Sequence, residues 1–179
     1  MLDLNTDLYK NLPDNCSPVA NAREMAEKAT HIITALPKPI AVIKCVEGEN
    51  GLFAGSSPGL VWVDASTSDR AQTIELGKQA KEHGIIMLEG TMTGGAVSLR
   101  ENNMVCLGGG DKDDFENNKW FMAHSIGPVV IRCGEIGTGA VAKVASNMLA
   151  FLNMAGGVEV YNIIFCLPNI IRNLFLFHL

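Results

Sequence analysis

Lys143 and Asn147 stand four residues apart in the stretch 134–147, where Gly134, Gly137 and Gly139 lead into a run of good helix formers. A helix over this stretch places the ammonium and the amide on one face, with Gly139 one turn earlier on the same face. A ligand can then approach the backbone at Gly139 while meeting both polar groups just beyond it. That is chemistry for a small anion or a hydroxyl. The same residues also describe a plain surface helix carrying one solvated lysine and one asparagine, so the elements around them must decide.

Composition removes several alternatives. The chain has 179 residues, 47% of them apolar and 18% charged, an ordinary balance for a folded domain with a real core. Its formal charge of −5 carries no Lys/Arg cluster, so no nucleic-acid partner is expected. Five cysteines and four histidines are scattered without CxxC or HExxH spacing, which argues for reduced thiols and for no metal site. The N-terminus has neither the apolar core of a signal peptide nor the basic amphipathic character of a transit peptide. The apolar run 163–179 contains Pro168, Asn169, Arg172 and Asn173 and falls short of the ~20 cleaner residues of a spanning helix, so no membrane partner is expected either.

Along the chain, apolar β-branched runs alternate with helical patterns. Strands are expected at 31–36, 60–65, 85–88, 104–107 and 128–132, with a short edge strand at 17–20 around Pro18. Helices are expected from Asn21 as N-cap to about Lys28, over 40–46, over 70–83 ahead of Gly84, over 111–122, and from the opening stretch onward. A weak helical turn over 6–12 ends at Pro13, and 48–59 reads as a Gly-rich connection. This alternation predicts an α/β fold with a mostly parallel sheet. Ligands in such sheets collect beyond the carboxyl ends of the strands, which here carry Pro37, Ser66-Thr67 and Thr93-Gly94-Gly95.

Taken in order, Leu36-Pro37, Asp64-Ala65-Ser66-Thr67, Thr93-Gly94-Gly95, Gly108-Gly109-Gly110-Asp111 and Gly137-Thr138-Gly139 leading to Lys143 and Asn147 resemble the β-hydroxyacid dehydrogenases, a family with a 6-phosphogluconate dehydrogenase-like NAD-binding domain. Within it they are most similar to the 3-hydroxyisobutyrate dehydrogenase branch. The resemblance covers roughly residues 2–162. It implies NAD(P)-dependent oxidation of a small β-hydroxy acid, with Lys143 as the acid–base and Asn147 helping to hold the substrate. A lysine partly desolvated beside a cofactor has the lowered pKa that such a base requires. By the same resemblance Thr93, Gly94 and Gly95 offer a hydroxyl and backbone N–H groups to the substrate carboxylate. Leu36, Pro37 and Thr67 line the nicotinamide side of the cleft, and Asp3 matches the acid that holds an adenine ribose hydroxyl, favouring NAD over NADP. Leu36 is otherwise a core residue and Asp3 a solvated one.

Departures from the family pattern shape the remaining expectations. Glu89 and Thr93 stand where relatives usually have Asp and Ser, Ser146 replaces an Asn or His, and Ala41 replaces an amide. No GxGxxG turn occurs, so the expected architecture is a Rossmann-like, mostly parallel sheet lacking its first βα unit, followed by the start of an all-α domain. The expected divisions are a partial NAD(P)-binding domain over 1–133, the first helix of the all-α domain over 134–162, and an apolar tail over 163–179. Loss of the central strand separates strands at 2–4 and 17–20 from the strand at 31–36, leaves unpaired edges, and implies marginal stability or a rearranged sheet. On this reading the chain is weakly active or inactive, and the alternative is a non-catalytic interaction protein that associates with a full-length relative. Family members are dimers or tetramers, and the implied location is the mitochondrial matrix or the cytoplasm.

Overall fold

The computed structural model describes residues 1–166, so the expected apolar tail lies outside the described residues from 167 onward. Helices begin where side chains can take up free backbone N–H groups. Asn21 accepts from Glu24 N–H while Glu24 accepts from Ala20 N–H, a reciprocal cap that opens α1 (Ala22–Lys28). Asp69 caps α4 (Arg70–Glu82), and Asp111 caps α6 (Lys112–Ser125). α2 (Pro39–Val46) opens on proline, whose missing N–H costs nothing in the first turn. Two short helices were not expected, α3 (Leu52–Gly55) inside the Gly-rich connection and α5 (Gly95–Arg100) after the Thr93 turn.

The strands are β1 (His31–Thr34), β2 (Val61–Asp64), β3 (Ile86–Thr93), β4 (Val105–Gly109) and β5 (Val129–Gly134), arranged in that order in one five-stranded sheet. β1, β2 and β3 pair in parallel, β4 pairs antiparallel with β3, and β5 pairs in parallel with β4. The mostly parallel α/β fold is therefore as expected. The strands at 2–4 and 17–20 do not form, and β1 is an edge of the sheet. What remains of that pairing is the N-terminal amine donating to Ser17 O at 2.7 Å and Val19 N–H donating to Met1 O at 3.0 Å. Pro18 has no N–H to extend the ladder, and no neighbouring strand presents a partner.

Side-chain alternation divides the core by face. Ile32, Trp62 and Met87 pack with Val42, Val46, Leu52, Leu76 and Ala80 from the helices on one side. Val61, Val63, Leu88 and Cys106 pack with Phe115 and Met122 of α6 on the other. One register row is polar: Thr34, Asp64 and Glu89 lie side by side across β1, β2 and β3, each buried, and the row continues through Gly109.

The chain divides into two compact units, Met1–Lys143 and a second beginning at Val144. α7 (Thr138–Cys166) runs through the boundary. Among the described residues it is the one helix long and apolar enough to cross a membrane by length and composition, a property the sequence reading sought only in 163–179. Its first turn is buried at Gly139 and Ala140, and beyond Lys143 it exposes Leu149, Phe151, Leu152 and Phe165.

Candidate active site at the carboxyl ends of the strands

The ends of β1 and β2 are joined by a chain of hydrogen bonds. Trp62 Nε1 donates to Thr34 Oγ1 at 2.9 Å, and Thr34 Oγ1 donates to Asp64 Oδ1 at 2.8 Å. Ser66 N–H donates to the same oxygen at 3.1 Å, and Leu36 N–H donates to Ser66 Oγ at 2.9 Å. Leu36 is thus half-buried with its backbone fixed, while Pro37 and Thr67 remain exposed at the rim. Ser68 Oγ is buried nearby without a hydrogen-bond partner among the described residues. Sequence reasoning put Leu36, Pro37 and Thr67 at strand ends but missed that Asp64 and Ser66 fasten them. The signal was an Asp two residues before a Ser at the end of an apolar run, the pattern of a side chain that closes its own turn.

At β3 the controlling residue is Glu89, 1% exposed. Its Oε2 accepts from Gly137 N–H at 2.6 Å and Gly139 N–H at 3.1 Å, and its Oε1 accepts from Ala140 N–H at 2.8 Å. Burial pushes the Glu89 carboxyl above its ordinary pKa, these three N–H groups oppose that rise, and the neighbouring Asp64 adds to it. Gly137-Thr138-Gly139-Ala140-Val141-Ala142 follows a strand and opens a helix with the G-x-G-x-x-A spacing of a phosphate-binding turn. Here the protein's own carboxylate takes the anion's place. Gly109 leaves room for it, since a Cβ there would overlap Glu89 Oε2.

Two residues further along β3, the single hydroxyl proton of Thr91 is shared between Leu107 O at 2.8 Å and, more distantly, Gly139 O at 3.3 Å. Lys143 lies one helical turn after Gly139 on α7, and Thr93 stands two residues beyond Thr91 at the end of β3. Gly94 and Gly95 have φ of 131° and 74°, conformations that exclude ordinary side chains. Lys143 is half-buried, and burial lowers its amine pKa below the usual lysine value. Asn147 follows one turn later on α7 and belongs to the second unit.

Asp3 is not brought to a strand end. It is exposed, its carboxylate accepts from Asn5 N–H at 2.8 Å, and Tyr9 Oη bridges its backbone N–H and carbonyl. Among the described residues no group of three or more His, Cys, Asp or Glu is placed to hold a metal ion. Pro37 and Thr67 are exposed at strand ends, where a bound dinucleotide could reach them, and the Ser68 hydroxyl next to Thr67 in the chain is buried without a hydrogen-bond partner among the described residues. Among the described residues, the phosphate-type turn at Gly137 is filled by Glu89.

Residues 2–137 match the family of the NAD binding domain of 6-phosphogluconate dehydrogenase. The mitochondrial 3-hydroxyisobutyrate dehydrogenase of Homo sapiens is 33% identical over 164 residues, covering 87% of this chain and 48% of its own length. The Mus musculus counterpart is 32% identical with 87% and 49% coverage. A solved Mycobacterium tuberculosis 3-hydroxyisobutyrate dehydrogenase with L-serine superposes with a TM-score of 0.76 at 24% identity, over 84% of this chain and 50% of that one. The chain spans about half the length of the curated relatives it matches. It belongs to the family of 6-phosphogluconate dehydrogenase-type NAD-binding domains, on the side of the β-hydroxyacid dehydrogenases that its motifs resemble.

Proposed function

We propose that the chain takes part in NAD(P)-dependent oxidation of a small β-hydroxy acid of the 3-hydroxyisobutyrate type, with Lys143 as the acid–base. The observation that carries this reading is the half-buried Lys143, its amine pKa lowered by burial, on a helix anchored to the strand that ends in Thr93. A neutral amine takes the proton from the substrate hydroxyl as the carbinol carbon becomes a carbonyl. The nicotinamide, when bound, supplies the hydride acceptor. Leu36, Pro37 and Thr67 would hold its reactive end, and NAD or NADP satisfies the same requirement. The Thr93 hydroxyl and the N–H groups of Gly94 and Gly95 would receive the substrate carboxylate, with Asn147 assigned to substrate by the family resemblance. The L-serine named with the mycobacterial structure is itself a β-hydroxy acid, which supports this substrate class.

On the same resemblance, residues 1–133 form a partial NAD(P)-binding domain and 134–162 begin an all-α domain. Of the two expected locations, mitochondrial matrix or cytoplasm, the mitochondrial relatives support the first. Calorimetric titration with NAD and NADP, followed by turnover of 3-hydroxyisobutyrate and L-serine, tests the proposal. Cofactor binding with turnover that Lys143→Met abolishes is the expected result. Turnover undiminished in Lys143→Met would overturn the acid–base role.

A further inference from the structure

We propose that Glu89 is a positioning residue, whose carboxylate clamps the first turn of α7 to β3 and thereby fixes the half-buried location of Lys143. The inference rests on the acid–base reading of Lys143 and adds the device that places it. A helix start exposes N–H groups that need acceptors and carries a partial positive charge that favours an anion. Glu89 meets both needs from inside the sheet, with three N–H donors between 2.6 and 3.1 Å. Four observations identify a built fit. The fit at Gly139 is tight, since a Cβ would lie 3.0 Å from Leu107 O and 3.1 Å from Glu89 Cβ and a neighbour would have to give. A Cβ at Gly109 would overlap the carboxylate itself. Thr91 holds the Gly139 carbonyl from the next rung. Asp64, the registered neighbour of Glu89, is bonded away to Thr34 and Ser66, leaving Glu89 to face the helix alone.

The clamp acts through reach. All three partners of Glu89 are donors, so glutamine, with one acceptor oxygen and one donor nitrogen, must turn an NH₂ toward an N–H. Aspartate retains the charge but is one methylene shorter. Each change lets the first turn of α7 move from β3 and hydrates the Lys143 amine, whose shift comes from burial.

The test is an NMR titration of the ¹³C-methylated lysines in the 179-residue chain, with amide exchange at Gly137, Gly139 and Ala140, for wild type, Glu89→Gln, Glu89→Asp and Gly139→Ala. The expected result is faster exchange at those amides and an upward shift of the Lys143 midpoint, as its amine loses the burial that lowers it. A Lys143 midpoint that stays at its wild-type value although the amides exchange faster would reduce Glu89 to a cap and overturn the proposal. Amides that exchange no faster in Glu89→Gln overturn the clamp itself. Gly139→Ala keeps every charge and displaces the helix, so it carries the same test if the Glu89 variants do not fold. If Glu89→Gln moves the midpoint while Lys143→Met leaves turnover intact, the positioning stands and the acid–base reading falls.

Discussion

Leu36 donates its backbone N–H to Ser66 Oγ at 2.9 Å, which makes the loops after β1 and β2 a single unit across the candidate nicotinamide side of the cleft. Ser66 is itself held by Asp64, and Asp64 by Thr34, so the rim rests on a row of buried polar groups. Ser66→Ala removes the side-chain acceptor of Leu36 N–H and costs about 1 kcal/mol. For a chain of this size that lowers the melting temperature by about 2–4 °C. Cofactor affinity should fall with it, because Leu36 and Pro37 lose their fixed placement. Thermal unfolding and a calorimetric NAD titration on the same samples check both halves of the prediction.

With Lys143 as the proposed acid–base, the pH dependence of turnover follows from its amine. Burial lowers its amine pKa, so the neutral, proton-accepting form is present at lower pH than for a surface lysine. Oxidation rate should rise with pH through that lowered pKa and level off above it. Stability carries the same sign. In the window between the lowered folded pKa and the ordinary unfolded one, the unfolded chain binds more protons, so stability increases with pH there. Below the folded pKa the amine is charged in both states and its burial is a standing penalty. A wild-type pH–rate profile checks the rate limb, and Lys143→Met, in which turnover is lost, should also lose the rise in stability, as measured by unfolding at matched pH values.

Much of this arrangement was legible in the sequence because it is written in local chemistry. Asn21, Asp69 and Asp111 announce helix starts, and the Val-Trp-Val-Asp run of β2 reads as a strand buried on both faces. Thr93, Gly94 and Gly95 announce a turn that needs positive φ. What was not legible depends on partners distant in the chain. Glu89 lies 48 to 51 residues from the N–H groups it accepts, and no spacing rule connects them. The strands at 2–4 and 17–20 had local propensity, yet strand formation needs a neighbour to pair with. α3 and α5, of four and six residues, span fewer than two turns and are too short to show a period.

Thr93 distinguishes substrate binding from chemistry. If its hydroxyl holds the substrate carboxylate, Thr93→Ala removes a hydrogen bond to a charged group, worth about 1.5–3 kcal/mol. That raises KM about tenfold or more and leaves kcat nearly unchanged, because the carboxylate keeps its charge from ground state to transition state. Thr93→Ser retains the hydroxyl and should restore KM. A fall in kcat with KM constant would instead place the hydroxyl at the reacting carbon. Steady-state kinetics on the two variants separate these outcomes.

Two glycines with opposite surroundings give opposite predictions for the same substitution. Gly109 is buried beside Glu89, and a Cβ there would overlap the Oε2 that accepts from Gly137 and Gly139. The overlap involves a buried carboxylate held by three backbone groups, with no flexible end to swing aside. Gly109→Ala should therefore destabilise by about 1–3 kcal/mol. It should also release the α7 N-terminus, visible as faster amide exchange at Ala140. Gly156 lies within α7 with nothing within 4 Å of a built Cβ. There alanine only narrows the unfolded ensemble and favours helix, so Gly156→Ala should stabilise the helix by about 0.5–1 kcal/mol. Tryptophan fluorescence reports the unit containing Trp62 and Trp120, and far-UV circular dichroism reports total helix, to which α7 contributes 29 residues. A Gly109→Ala variant whose fluorescence transition matches the wild type would show that Glu89 has another place to go, and that the clamp is looser than its three short hydrogen bonds imply.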